Sequence, residues 1–313
     1  MPLAILLFAV AAPASEPGQL AFRPAEKEGF FQFDTGVLRG VLRLDGKRQG
    51  IEQLIHEPTG QEVTYGGGHV GLLSPYRLFS TGTRYGHAAR DWPSRPRLLP
   101  DGAVEARFPA AEDHPLELTL TYRWVAPDTL DLTTQVTPKK NMPRFEFFLS
   151  SYFADGFAVS VYLKPNRFER GGKPRLMPVQ AHPLFDGNYM MFPRDREAVL
   201  TIFDGRWEIP PNPVQWCITR WMAAPLALRR HGKSGVTAVL MAPPEECFSV
   251  ATPYDKTPPD GVAGHRSLYL CLFGQDVAAG QTVRARTRLV VGTSITDEVA
   301  VQRYQQFLQG GKQ

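Results

Sequence analysis

Cysteine is scarce in this sequence, and the short motifs of several common enzyme classes are missing. The three cysteines, Cys217, Cys247 and Cys271, stand far apart, and no pair has the spacing of zinc ligands. There is no Gly-x-Ser-x-Gly nucleophile elbow, no phosphate loop and no dinucleotide-binding glycine pattern. The sequence therefore predicts no metal, no other cofactor, and a fold that does not depend on a framework of disulfides.

Runs of basic residues and long apolar segments are also lacking. The 313-residue chain has a formal net charge of +4 at pH 7, but its lysines and arginines are spread along its length. We therefore expect no nucleic-acid partner, whereas acidic ligands remain open. Beyond the N-terminus no segment reaches 18 uninterrupted apolar residues, so we expect no stable membrane insertion of the mature protein.

The first residues have the pattern of an export signal. Residues 3–12 are apolar, and Ala12-Pro13-Ala14 places small residues at the two positions that a signal peptidase reads. A positively charged start is missing, and the apolar run is too short to span a bilayer as a helix. We predict a signal peptide over residues 1–14 and a periplasmic or secreted mature protein.

Alternation of apolar and polar residues dominates the rest of the chain. Residues 116–124 alternate without a fault, and residues 130–136 alternate again after a turn. Many such strands in a chain of this size favour an all-β fold in a single domain, from about residue 20 to residue 308. Two architectures fit this pattern, a large antiparallel two-sheet sandwich and a closed barrel, and we favour the sandwich.

Helical periodicity is convincing only near the C-terminus. Thr296 suits the N-cap of a helix whose first turn carries Asp297 and Glu298, and an apolar stripe continues to Leu308. Residues 165–213 are instead rich in proline, glycine, arginine and aromatic residues and lack a clear period. We expect a short C-terminal helix that acts as a strut, and long loops in the middle of the chain, where functional residues tend to lie.

The densest group of chemically active side chains lies in residues 83–92. Because Gly82, Gly86 and Pro93 punctuate this stretch, we expect a loop or a strand edge. Arginine forks and aromatic ring faces suit ligands with hydroxyl or carboxylate groups. They equally suit a salt-bridge and cation–π cluster that pins a loop. The candidates here are His87 and Asp91 for catalysis, and Arg84, Tyr85, Arg90 and Trp92 for substrate binding.

Two further clusters combine imidazole, carboxylate and phenol groups in loop-like surroundings. One covers residues 182–189 and the other covers residues 254–266. General acid–base catalysis needs such groups within hydrogen-bond reach of a substrate, although a single loop histidine or aspartate is also a common turn former. The candidates here are His182 and His265 for catalysis, and Asp186, Tyr189 and Arg266 for substrate binding.

Three segments resemble the galactose mutarotase (aldose epimerase) superfamily. Residues 144–155, Arg-Phe-Glu-Phe-Phe-Leu-Ser-Ser-Tyr-Phe-Ala-Asp, resemble its central strand and the motif Asn-His-Ser-Tyr-Phe-Asn. Residues 280–282, Gly-Gln-Thr, precede an alternating strand and resemble its Pro-Gly-Glu segment, and residues 40–60 resemble its first strands. The resemblance implies a large antiparallel β-supersandwich with a groove that binds sugar.

The departures from the family pattern concern the catalytic pair. The resemblance places the family's catalytic histidine at Ser150 and its catalytic glutamate at Gln281. Neither side chain titrates near neutral pH, so the pair that opens the sugar ring is missing. The resemblance also places Arg84 and His87 about where the family holds sugar hydroxyls.

These observations lead to two hypotheses about function. The first is an exported protein that binds or acts on carbohydrate, with a groove suited to a polar or acidic sugar and without aldose epimerase activity. If it is an enzyme, a lyase or hydrolase is expected. The alternative is a non-catalytic periplasmic or surface interaction module, whose polar clusters serve only to hold its loops.

Overall fold

The part of the chain that the structure describes leaves out some of the predicted features. This computed structural model describes residues 19–66, 68–166, 168–169, 171–179, 189–253 and 266–310. The predicted signal peptide lies outside these residues, and so do the candidates His182, Asp186 and His265. Those four expectations therefore stay predictions.

The described residues form 21 β-strands and two α-helices. In chain order the strands are β1 (Arg23–Pro24), β2 (Phe30–Asp34), β3 (Leu38–Arg43), β4 (Gly50–His56), β5 (Gln61–Glu62), β6 (Ser74–Ser80), β7 (Thr83–Tyr85), β8 (Arg95–Leu98), β9 (Val104–Phe108), β10 (Leu116–Ala126), β11 (Thr129–Pro138), β12 (Met142–Tyr152), β13 (Phe157–Leu163), β14 (Arg175–Pro178), β15 (Tyr189–Pro193), β16 (Trp216–Cys217), β17 (Met222–His231), β18 (Thr237–Met241), β19 (Cys247–Pro253), β20 (Ser267–Val277) and β21 (Val283–Gly292). The α-helices are α1 (Arg196–Ile202) and α2 (Asp297–Gly310), and 3₁₀ turns lie at Glu57–Thr59, Ala89–Asp91 and Arg206–Glu208.

The strands form three sheets. Their orders are β1-β2-β3-β4-β5, then β14-β13-β17-β18-β21-β11-β10-β9-β8, and β16-β15-β19-β20-β12-β6-β7. Within the described residues the paired strands are antiparallel, apart from the short parallel pair of β15 and β16. This architecture confirms the predicted all-β antiparallel fold. It adds a third sheet of five strands to the two that the alternation predicted.

One apolar core joins the three sheets. Alternation in β10 buries Leu118 and Leu120 in one core cluster, which also includes Leu54 from the five-stranded sheet and Leu149 and Leu270 from the seven-stranded sheet. Burying a leucine side chain contributes about 1.5–3 kcal/mol. The packing of this core therefore fixes the seven-stranded sheet against the other two sheets.

The outer face of the seven-stranded sheet carries a second, aromatic cluster. Phe148 on β12 points away from the core, and its ring centroid lies 4.5 Å from that of Tyr269 on β20 and 4.8 Å from that of Trp207. Ala198 and Ile202 of α1 pack into the same cluster. The segment from α1 to β16 therefore covers part of this face.

The C-terminal helix packs on the outer face of the nine-stranded sheet. The side chain of Thr296 accepts a hydrogen bond from the backbone N–H of Val299, as expected of an N-cap. Tyr304 and Phe307 are buried in a cluster that includes Leu228 of β17. The predicted terminal helix is confirmed, and no helix among the described residues combines the length and apolarity needed to cross a membrane.

Candidate functional site

A β-bulge in β6 brings two neighbouring side chains to the outer face of the seven-stranded sheet. Phe148 of β12 lies opposite Arg77, but the next residue, Leu149, lies opposite Pro75, so Tyr76 is the extra residue. A bulge re-aims side chains that strict alternation would send to opposite faces. The Tyr76 ring lies 6.2 Å from the Phe148 ring, on the same side of the sheet as Arg77.

Arg77 is a buried cation without a carboxylate partner among the described residues. It is only 3% exposed, and its Nη2 donates to the Tyr76 hydroxyl at 3.3 Å. Its guanidinium carbon lies 5.0 Å from the Tyr76 ring centroid and 5.5 Å from that of Trp207. The Nε–H is buried and finds no acceptor in the described part of the chain. Because buried charges are normally paired, Arg77 has the capacity to bind an anion.

Arg90 adds a second unpaired guanidinium. It extends from the 3₁₀ turn Ala89–Asp91, and its guanidinium carbon lies 4.1 Å from the Tyr76 ring centroid and 6.0 Å from that of Tyr152. Its Nη1 is buried and has no hydrogen-bond partner within the described ranges. Arg77 and Arg90 thus both lie against the Tyr76 ring.

Arg84 is the third arginine of this group and is partly occupied. Its Nη1 donates to the carbonyl of Pro211 at 2.5 Å, and its Nη2 donates to the carbonyl of His87 at 2.7 Å. Its Nε–H has no acceptor among the residues described. Burial lowers the pKa of Arg84. The nearby positive charge of Arg77 lowers it further, because like charges repel each other.

Phenol groups surround the three arginines. The hydroxyls of Tyr152 and Tyr269 lie 3.3 Å apart. Burial raises the pKa of Tyr269 well above its ordinary value and also raises that of Tyr189, so both stay protonated at neutral pH. The site, which we call the arginine–tyrosine face, consists of Tyr76, Arg77, Arg84, Arg90, Tyr152, Tyr189 and Tyr269.

A buried ion network holds the aromatic wall beside this face. Arg206 is fully buried and donates to Glu146 at 2.9 Å and to Asp204 at 2.7 Å. Burial raises the pKa of the Glu146 carboxyl, and the charge of Arg206 opposes that shift. The next residue, Trp207, packs with Phe148 in the outer cluster. The network therefore fixes Trp207 in place before any ligand arrives.

The structure divides residues 83–92 between the site and the scaffold. Arg84 and Arg90 lie on the arginine–tyrosine face. Tyr85 instead belongs to the main core, where its hydroxyl and that of Ser80 are 2.6 Å apart and burial raises its pKa. Tyr85 therefore has the contacts of a structural residue, whereas a ligand-binding role for Arg84 and Arg90 stays a prediction.

The remaining candidates of this segment have structural contacts. The carboxylate of Asp91 accepts the backbone N–H of Arg48 at 2.8 Å, and the buried ring of Trp92 stacks on His114 with centroids 3.7 Å apart. His87 is exposed, and no hydrogen bond joins its ring to Asp91 in the described residues. A catalytic role for His87 and Asp91 stays a prediction.

Two residues of the other predicted clusters lie at or beside the face. Tyr189 lies near Tyr152. Burial is the main cause of the raised pKa of Tyr189, and the charge interaction with Tyr152 raises it further. The guanidinium carbon of Arg266 lies 4.8 Å from the Tyr65 ring centroid and a nitrogen lies 3.8 Å from the Asp155 carboxylate. The backbone N–H of Tyr65 donates to the carbonyl of Tyr152, so Arg266 borders the site.

The two positions aligned with the family's catalytic pair do not form a site. Ser150 is buried, and its hydroxyl donates to the carbonyl of Ser74 at 3.1 Å. Gln281 lies in the turn after β20, where its side chain accepts the backbone N–H of Ala278 at 3.0 Å. Tyr269 is near the start of this strand of 11 residues, which spans roughly 35 Å. Gln281 is therefore remote from the arginine–tyrosine face.

Within the described ranges no three histidine, cysteine, aspartate or glutamate side chains are grouped as a metal site requires. The three cysteines are free thiols, and burial raises the pKa of Cys247 to about 12. The described side chains of the face offer hydrogen bonds from guanidinium and phenol groups, and contact with aromatic rings.

Comparison with known proteins finds structural relatives at low sequence identity. No protein-family model matches the chain, and no curated protein matches it. The Slr1438 protein from Synechocystis sp. PCC 6803 is 12% identical with a TM-score of 0.52, over 90% of this chain and all of that chain. A putative aldose 1-epimerase from Escherichia coli K12 is 12% identical with a TM-score of 0.47, over 84% and 98%. The heparan sulfate lyase HepC from Pedobacter heparinus is 8% identical with a TM-score of 0.44, over 88% and 37%.

The chain shares its fold with the Slr1438 protein. The large antiparallel β fold with a short C-terminal helix, which the resemblance of residues 40–60, 144–155 and 280–282 implied, is present in the structure. At such low sequence identity, a shared fold does not show a shared activity, because proteins of one fold catalyse many different reactions. Function therefore has to come from the site.

Sequence reasoning did not name Tyr76, Arg77, Tyr152 and Tyr269 as candidate site residues. Pro75 could have indicated the bulge that places Tyr76 and Arg77 on one face, because proline inside a strand marks an edge or a bulge. Tyr269 lies in an apolar run that fits a buried strand equally well, and nothing in that run distinguishes it from a core residue.

Proposed function

We propose that this protein is an exported carbohydrate-binding or carbohydrate-active protein whose arginine–tyrosine face binds an acidic sugar. The anionic group of the sugar is held by Arg77 and Arg90. The sugar ring lies beside the phenols of Tyr76 and Tyr152, which offer hydroxyl groups and aromatic surface. Export to the periplasm or the cell exterior rests on the N-terminal pattern of residues 1–14.

The observation that carries the proposal is the unpaired burial of Arg77. Withdrawing a charge from water costs several kcal/mol unless a partner compensates it. The described residues supply one phenol oxygen at 3.3 Å and leave Nε–H without an acceptor. Arg90 adds another such N–H beside the same ring. A carboxylate, sulfate or phosphate group would satisfy both guanidiniums through charge-assisted hydrogen bonds.

A carbohydrate is the favoured carrier of this anionic group for two reasons. Clustered phenols and arginines match a ligand that combines hydroxyl groups with apolar C–H surface. The resemblance to the mutarotase superfamily adds an analogy, because that superfamily is associated with sugar substrates. The basic net charge of +4 agrees with an acidic partner.

Aldose epimerase activity is not part of the proposal. Ser150 is engaged in a hydrogen bond to the backbone, and Gln281 lies in a distant turn. The described part of the face holds no imidazole paired with a carboxylate, so binding is better supported than turnover. If the protein is a lyase or hydrolase, His182 and His265 are the predicted groups for proton transfer.

A non-catalytic interaction module is the second candidate function. Its support is the structural use of Asp91, Trp92 and part of Arg84, whose contacts hold neighbouring loops together. This alternative leaves the unpaired guanidiniums of Arg77 and Arg90 without a role. For that reason we favour the acidic-sugar site.

A glycan-binding panel tests the proposal. Wild-type protein should bind sugars that carry carboxylate, sulfate or phosphate groups and should not bind their neutral counterparts. Arg77→Met and Arg90→Met should each weaken binding roughly 10- to 100-fold, the range for a hydrogen bond to a charged group. The control is Arg97→Met, because Arg97 is exposed and already paired with Glu105. Unchanged binding in both variants would rule the face out.

A further inference from the structure

A cavity of about 400 Å³ lies next to the arginine–tyrosine face, in the segment between α1 and β16. Its lining includes the buried rings of Trp207 and Trp216 and the exposed side chains of Phe203, Glu208 and Gln215. Phe203 is 61% exposed, a large fraction for an aromatic ring. A cavity with aromatic walls and a few polar groups has the composition of a small-molecule site.

The cavity and the arginine–tyrosine face share their two tryptophans. The Trp207 ring centroid lies 5.5 Å from the guanidinium carbon of Arg77, and the Trp216 ring centroid lies 5.7 Å from that of Tyr189. The two indoles meet edge to face at 5.0 Å. The face and the cavity therefore adjoin each other across this pair of indoles.

The segment that forms the cavity is held in place from both sides. The carbonyl of Pro211 accepts a hydrogen bond from Arg84, which belongs to the face. The N–H of Val214 donates to the carbonyl of Trp207 at 2.9 Å, and Arg206 is buried in its ion network. The cavity is thus formed before a ligand binds, which lowers the entropic cost of binding.

The charge of the cavity differs from that of the face. Its charged side chain is Glu208, whose carboxylate has no cationic partner among the described residues. A second acidic sugar unit would be repelled there, because like charges oppose each other. A neutral pyranose instead offers C–H surface to the aromatic side chains, and hydroxyl groups to Glu208 and to the amide of Gln215.

We infer that this cavity is a subsite for a neutral sugar unit, so that the ligand is an oligosaccharide in which an acidic unit is joined to a neutral one. The acidic unit occupies the arginine–tyrosine face, and its neutral neighbour occupies the cavity beyond Trp207 and Trp216. The inference rests on the proposed function of the face and names the substrate class more closely.

Isothermal titration calorimetry with matched sugars tests the inference. The probes are glucuronic, galacturonic and mannuronic acid, each alone and each joined to a neutral hexose through either end. The site variants are Phe203→Ala and Gln215→Ala. The control is Leu200→Ala, because Leu200 is 52% exposed on α1, the helix that ends just before Phe203, and does not line the cavity.

We expect wild-type protein to bind at least one disaccharide more tightly than its uronic acid alone. Phe203→Ala should remove roughly three- to tenfold of that gain and leave the affinity for the uronic acid unchanged. Equal affinity for both probes, or a gain that survives in both site variants, would overturn the subsite and leave the proposed function standing. Failure of wild-type protein to bind any of the probes would also overturn the subsite, whereas the proposed function falls only if the sulfated and phosphorylated sugars of the glycan panel fail as well.

Discussion

Arg77 and Arg206 are both buried arginines, and they differ in what surrounds them. Arg206 is enclosed by the carboxylates of Glu146 and Asp204. Arg77 is enclosed by aromatic rings and a single phenol oxygen in the described structure. Burying an unpaired charge is costly. Arg206 is compensated by carboxylates of the protein itself, so it has a structural role. Arg77 lacks such a carboxylate among the described residues and is suited to an anionic ligand.

Stability measurements should separate the two arginines. Arg77→Met should leave the free energy of unfolding unchanged or raise it, because no buried partner loses its counter-charge. Arg206→Met should lower it by about 3–5 kcal/mol, because Glu146 stays buried without a cation. Urea unfolding measures both. A loss of several kcal/mol in Arg77→Met would make Arg77 a structural residue and would count against the proposed site.

At the scale of residues, the sequence singled out some side chains of the arginine–tyrosine face and not others. Arg84 and Arg90 stood out because they lie in a dense polar segment. Arg77 did not, because its orientation depends on the register shift between β6 and β12, and register is a property of two strands together. Tyr85 and Trp92 were predicted as binding residues from the density of polar and aromatic residues around them, which does not say whether a side chain points into the core.

At the scale of elements, α1 organises the wall beside the site. The expectation of long loops over residues 165–213 is wrong in part, because β14, β15 and α1 lie within them. A helix of seven residues is too short to show a period. Its start is marked by Asp195, whose carboxylate accepts the backbone N–H of Ala198 at 2.9 Å.

Removing this cap should loosen the helix. Burial alone would raise the pKa of Asp195, but Arg194 and the Ala198 N–H hold it below its ordinary value. Asp195→Ala should lower the free energy of unfolding by about 1 kcal/mol, the usual effect of losing an N-cap. Glu197→Ala, at an exposed position in the same helix, should change it by less than about 0.5 kcal/mol. Equal losses in the two variants would show that the cap contributes nothing specific.

At the scale of the whole molecule, the fold followed from alternation and the function did not. Long strands such as β10, β11 and β21 each have one buried face. Their apolar and polar residues therefore alternate, and this alternation predicts the strands from the sequence. The five-stranded N-terminal sheet was not separated from the others, because no local pattern states which strands share a sheet. The antiparallel β fold leaves the chemistry of any site to individual residues.

The central claim is that an anionic sugar binds at the arginine–tyrosine face. The most direct measurement is a crystal structure of the protein with the uronic acid that binds most tightly in the panel. We predict that the carboxylate oxygens lie about 2.7–3.2 Å from the guanidinium nitrogens of Arg77 and Arg90. A carboxylate bound elsewhere, with Arg77 still lacking an anionic partner, would contradict the proposed function.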